Sequence, residues 1–253
     1  MATDRNAVPR RRFLTGCGAG LLSLSAVARA HAADGAAPPV PERPERTVRA
    51  GAKTLALTFD DGPSPLYTPR VLAVLARHGV RATFFMLGAN VAKYPETVRQ
   101  VAAAGHAIGN HSWSHPDLGA LRPAQVRDQI RRTQNVIGRT AGRKPVLFRA
   151  PGGHFARAAM AECAALGLRP ISWSVDPEDW SNPGSRVIAD RVLANAGTGS
   201  IVLNHDGTLS GSDVPEHEGL ADRTETIEAL KVYLPRLKAA GYRFTTPDAH
   251  PAG

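Results

Sequence analysis

Cysteine is almost missing from this chain, with two in 253 residues, Cys17 and Cys163. If the N-terminal stretch is removed, Cys163 stands alone and no internal disulfide can hold the fold. Aromatic residues are also sparse, at 6%. No Lys/Arg block is interleaved with them, so nucleic acid is not an expected partner. Nor is there a run of about 20 apolar residues, the length a bilayer span requires. The apolar stretch over residues 13–28 is broken by Gly16, Gly18, Gly20 and several Ser, so no permanent membrane span is expected. No internal repeat is evident.

What is present is ordinary globular material, 43% hydrophobic and 21% charged, enough for one large core and a single domain. Arg10-Arg11-Arg12-Phe13-Leu14 precedes a modestly apolar stretch that ends in small residues. This looks like a twin-arginine export signal over residues 1–33, with Pro9 and Thr15 departing from the usual pattern. Residues 34–51, with Pro38, Pro39, Pro41 and Pro44, read as a Pro-rich linker. The folded domain is expected over 52–247 and a short tail over 248–253. Loss of the leader removes five Arg and one Asp and lowers the formal charge from +9 to about +5. That mild basicity suits an anionic cell wall. The expectation is a monomer, secreted or associated with the wall.

From residue 53 onward, strand-like and helix-like stretches alternate. Thr54-Leu55-Ala56-Leu57-Thr58-Phe59 reads as a strand, followed by a helix opened by Thr68-Pro69 and closed by Gly79. Strands are then expected over 81–87, 107–109, 146–148, 170–175, 201–203 and 242–244. Helices are expected over 95–104, 123–138, 155–166, 185–194 and 224–240, the last kinked at Pro235. Cys163 falls in a helical pattern and reads as a buried structural thiol. About seven such alternations point to an α/β fold, a distorted, partly open (β/α) barrel of parallel strands, with an open doubly wound sheet as the alternative.

Five short motifs follow strand-like runs. Thr58-Phe59-Asp60-Asp61-Gly62-Pro63 puts two carboxylates at a strand end, ahead of a turn. His111-Ser112-Trp113-Ser114-His115, if helical, sets two imidazoles on one face, within reach of one divalent ion. A carboxylate from Asp60 or Asp61 would complete a His2Asp set with a coordination position left for water. Arg149-Ala150-Pro151-Gly152-Gly153 offers a guanidinium able to hold a carboxylate and a turn open to close backbone approach. Asp176-Pro177-Glu178-Asp179-Trp180 and Leu203-Asn204-His205-Asp206 complete the set.

In order and spacing these motifs resemble the polysaccharide deacetylases of carbohydrate esterase family 4, over about residues 52–247. The resemblance implies that Asp60 is the general base, oriented by Arg149, and that Asp61, His111 and His115 hold a divalent metal. Zinc is the first expectation, with cobalt, nickel or manganese as alternatives. It implies His205 as general acid with Asp179 behind it, and Leu203 and Trp180 as walls of the acetyl pocket. Gly152, next to Pro151, would supply an oxyanion N–H where the family commonly has Tyr. The implied substrates are peptidoglycan or chitin oligomers, attacked at N-acetyl groups. Alternatives are an O-deacetylase for acetylated xylan and a non-catalytic carbohydrate-binding or wall-scaffolding domain. His78 and His106 read as structural residues at helix ends. His31 belongs to the leader, His217 and His250 to polar segments, and His154 borders the turn. Phe84-Phe85-Met86 reads as core.

Overall fold

The computed structural model describes residues 43–208 and 221–249. The leader, most of the linker, His31, His217 and His250 lie outside these residues. Seven parallel strands form one sheet: β1 (Thr54–Asp60), β2 (Thr83–Met86), β3 (Ala107–Asn110), β4 (Leu147–Phe148), β5 (Arg169–Pro170), β6 (Ile201–His205) and β7 (Arg243–Thr245). Their order is β5-β4-β3-β2-β1-β6, and β7 also pairs with β1. A parallel bridge from Val175 to Val202 brings the segment after β5 against β6, so the sheet curls into a partly open barrel.

Among the described residues, seven α-helices connect the strands: α1 (Thr68–His78), α2 (Gly88–Lys93), α3 (Pro95–Ala103), α4 (Pro123–Ala141), α5 (Arg157–Leu166), α6 (Ser185–Asn195) and α7 (Thr224–Ala239). Pro69 pre-sets the first turn of α1, and Gly79 ends it at φ +62, where its N–H returns to the Ala76 carbonyl. No helix among the described residues is long and apolar enough to cross a membrane.

Side-chain alternation along β1 sorts core from site. Leu55, Leu57 and Phe59 enter the cluster packed under the helices, with Val71, Leu75, Phe84, Ile227 and Leu234. Ala56 belongs to the barrel interior with Phe85, Leu147, Ile171 and Ile201. Each buried Leu or Phe contributes about 1.5–3 kcal/mol. Phe85 lies so close over Gly109 that a Cβ there would come within 2.3 Å of it. Phe84, Phe85 and Met86 are all core, as their sequence suggests.

Several boundaries move. Part of the stretch read as linker is tied into the fold: Glu45 and Thr47 bridge to Ile171 and Ser200, and Val48 is buried. α4 passes through Gly138, packed against Lys144, and stops at Gly142 with φ +76. α2 has no counterpart in the sequence reading, and α7 runs through Pro235 as one helix. Of the run at 170–175, only Pro170 lies in the two-residue β5, with single bridges at Ile171 and Val175. Cys163 is fully buried against α4 and its thiol is pushed up to about 12 by burial, so it is structural. His106 is buried and accepts the Ala82 N–H through Nδ1 at 3.2 Å. Burial, helped by Arg81, holds it down at about 4, so it is a neutral acceptor rather than a cation on a helix end.

Candidate active site

The motif residues meet at the C-terminal rim of the barrel. There the ladder continues past the strands: the His111 N–H reaches the Met86 carbonyl at 3.0 Å, Arg149 N–H reaches Asn110 at 2.9 Å, and Asp206 N–H reaches Asp60 at 3.2 Å. Above the rim lies a pocket of about 410 Å³. Asp60, Asp61, His111, His115, Gly152, Trp180, Leu203 and His205 line it. Pro151 is buried and not on its wall, and His154 does not line it.

Asp60 is buried, and its Oδ1 accepts from Arg149 Nη1 at 2.7 Å. Arg149 is wholly buried and spends its other donors on Thr58 Oγ1 and the carbonyls of Ile171 and Ser172. Its guanidinium also lies 4.2 Å from the centre of the Phe85 ring. Burial lowers its pKa despite Asp60, yet guanidinium stays charged at any ordinary pH.

Asp61 turns out of β1 at φ +69, away from the line of Asp60. Its Oδ1 stands 3.4 Å from His111 Nε2 and 3.5 Å from His115 Nε2. That oxygen is buried without a hydrogen-bond partner. Burial opposes its charge, but the two imidazoles prevail and hold the carboxyl well below the usual range. Ligand atoms of Asp61, His111 and His115 all lie within 4.8 Å of one another. His111 Nδ1 is 2.9 Å from the Arg149 carbonyl, which can only accept, so the lone pair of Nε2 faces the cluster. An orphaned carboxylate oxygen flanked by two imidazole nitrogens fits a divalent ion of the zinc type. The segment 111–115 is not helical: Ser112 and His115 have φ of +70 and +55, and the imidazoles converge from a loop.

His205 and Asp179 form a second unit. Asp179 accepts from His205 Nδ1 at 2.7 Å, from the His205 N–H at 2.8 Å and from Thr226 Oγ1 at 2.8 Å. Burial alone would lower His205, but Asp179 outweighs it and lifts the imidazole to about 9. An imidazole raised that far keeps its proton at neutral pH.

Two pocket residues and one buried neighbour of the site escaped the sequence reading. Trp173 and Asp176 line the pocket, and both lie in or beside the run read as a strand, where alternation alone marks which side chains face inward. Asp206 is buried against the turn after Asp61, where a Cβ on Gly62 would come within 2.5 Å of it. Burial, reinforced by Asp61 and Asp60, pushes its carboxyl up to about 7. No local pattern separated it from a capping Asp.

The polysaccharide deacetylase family model matches residues 47–171. A chitooligosaccharide deacetylase of Bradyrhizobium sp. (strain ANU 289) is 40% identical over 79% of this chain and 92% of its own length. The crystal structure of the Bc1960 peptidoglycan N-acetylglucosamine deacetylase superimposes with a TM-score of 0.73 at 34% identity, covering 81% of this chain and 90% of that one. A Bacillus anthracis protein described as a CE4 family pseudoenzyme also superimposes at 0.73, with 28% identity, covering 83% and 69%.

Proposed function

Because this chain belongs to the polysaccharide deacetylase family, we propose that it is an exported, metal-dependent enzyme that removes N-acetyl groups from amino-sugar polymers of the chitin or peptidoglycan kind. One observation carries the reading. A proton acceptor, a proton donor and a three-ligand cation cluster line one pocket: Asp60, His205, and Asp61 with His111 and His115.

Asp61, His111 and His115 would hold a divalent ion, zinc first, which when bound supplies a water acidified towards roughly pKa 7 and positive charge beside the acetyl oxygen. Asp60 would take a proton from the attacking water. Arg149 holds Oδ1 of Asp60 and thereby aims the carboxylate. Gly152, on the pocket wall at φ +59, presents main chain there without a side chain in the way. Leu203 and Trp180 would enclose the acetyl methyl. As the carbon–nitrogen bond breaks, His205 gives its proton to the departing amine, and Asp179 stabilises the imidazolium until that moment. Amide nitrogen leaves only when protonated, so this donor matters more for an N-acetyl than for an O-acetyl substrate.

Acetate release from chitin oligomers, peptidoglycan and acetylated xylan, with and without a chelator, tests the proposal. Chelator-sensitive release from the amino-sugar polymers supports it. Release from xylan alone would mark an O-deacetylase, and binding without any release a scaffold of the pseudoenzyme kind.

A further inference from the structure

Since His111 and His115 do not share a helix, their spacing does not set how their Nε2 atoms face each other. The loop between them includes left-handed backbone at Ser112 and His115, a conformation that L residues seldom adopt unless neighbours impose it. Its main-chain hydrogen bonds show what imposes it. The carbonyls of Ser112 and Trp113 accept from the N–H groups of Gly88 and Ala89 in α2, at 3.0 Å each. Ser112 N–H donates to Asn110 Oδ1 at 3.0 Å, and His115 N–H to Ser112 Oγ at 3.2 Å.

The remaining N–H groups, those of Trp113 and Ser114, converge on one atom. That atom is Oε1 of Gln129 in α4, at 2.8 and 3.0 Å. Nε2 of Gln129 donates in turn to Ser114 Oγ at 3.0 Å. Of the two ends of the amide only the oxygen accepts, so the amide orientation is dictated by its partners. Arg132, on the same helix, lies 3.5 Å from the centre of the Trp113 ring, and a Cβ on Gly88 would come within 2.5 Å of that indole. The loop is gripped from both sides, and Gln129 is the polar half of the grip.

We infer that Gln129 is a positioning residue for the metal centre, holding the 111–115 loop so that both imidazoles face Asp61. The inference rests on the metal reading above. Gln129 touches neither pocket nor ligand atom and acts only through the loop, so its signature is cation affinity rather than chemistry. Gln129→Met removes the double acceptor at similar volume. Gln129→Glu keeps an acceptor for both N–H groups and lets the Ser114 hydroxyl donate.

Zinc affinity of each metal-free protein is measured by competition with a chromophoric chelator, beside thermal melts without metal. Gln129→Met should bind zinc about 10–100-fold more weakly, the range found when groups supporting metal ligands are removed. Turnover should recover at saturating zinc, and Gln129→Glu should restore affinity to near the wild-type value. Wild-type affinity in Gln129→Met overturns the inference. So does loss of affinity in Gln129→Glu with an unchanged metal-free melt. If Gln129→Met itself melts early, the Gln129→Glu arm still decides. Failure of the wild-type protein to bind zinc would instead sink the metal reading.

Discussion

Asp60 and His205 are register partners, Cα opposite Cα, on the adjacent parallel strands β1 and β6. In-register neighbours of a parallel sheet project to the same face, so the proposed acceptor and donor of protons are set side by side by main-chain pairing. Asp179 accepts from both the main chain and the ring of His205, and Arg149 donates to Asp60, so each of the two side chains is fixed by a buried partner.

Asp60→Asn should keep the fold and the metal while lowering kcat about 10²–10⁴-fold, the usual contribution of a positioned base. Metal content per chain, measured beside acetate release, separates this from a binding defect. A fully active Asp60→Asn protein would remove Asp60 from the base role.

His111→Ala should lose metal and activity together, because the cluster then retains a single imidazole beside Asp61. Dialysis against a chelator should silence the wild-type protein, and added zinc should revive it but not the variant. Activity that survives exhaustive chelation contradicts the centre.

The Asp179–His205 pair predicts a pH profile. His205 is raised from 6.5 to about 9 in the fold. A raised basic group contributes stability that is fully present below its unfolded pKa and lost as pH climbs through the folded one, here between about 6.5 and about 9. Activity that needs the imidazolium follows the folded pKa alone, so kcat/KM should decline near pH 9. In Asp179→Asn the decline should move down towards 6.5, and an unmoved alkaline limb would unseat His205 as acid.

Arg149→Met should cost about 3–5 kcal/mol in a denaturant titration, because it strands the buried Asp60 without its partner. A loss below about 1 kcal/mol would mean that Asp60 finds another partner.

Export by the twin-arginine route is checked by replacing Arg10 and Arg11 with Lys. The doubly substituted precursor should stay in the cytoplasm, as fractionation and immunoblotting would reveal. Normal secretion of that variant rules the route out.

Much of this was legible in the sequence because parallel strands end where their chemistry begins. An apolar run that breaks into Asp60-Asp61-Gly62 or Leu203-Asn204-His205 announces both the strand and the site. The geometry between motifs was not legible. The same four-residue spacing of His111 and His115 serves a helix or a gripped loop, and the choice depends on Gly88 and Gln129, which are distant in sequence and unremarkable in composition. α2 begins at a glycine and has only six residues, too few for a periodic signal. The end of α4 was misplaced because Gly138 looks like a stop until Lys144 is seen packed against it. Glu45 and Thr47 looked like linker because their partners, Ile171 and Ser200, lie far along the chain.

The hydrogen bonds that prolong the ladder beyond the strands, from His111 to Met86, Arg149 to Asn110 and Asp206 to Asp60, tie each site-bearing segment sideways to the end of the neighbouring strand. Alignment is thereby inherited along the hoop instead of upward through each spoke. A proline at His111, Arg149 or Asp206 would remove the N–H on which that link depends and cut the hoop there.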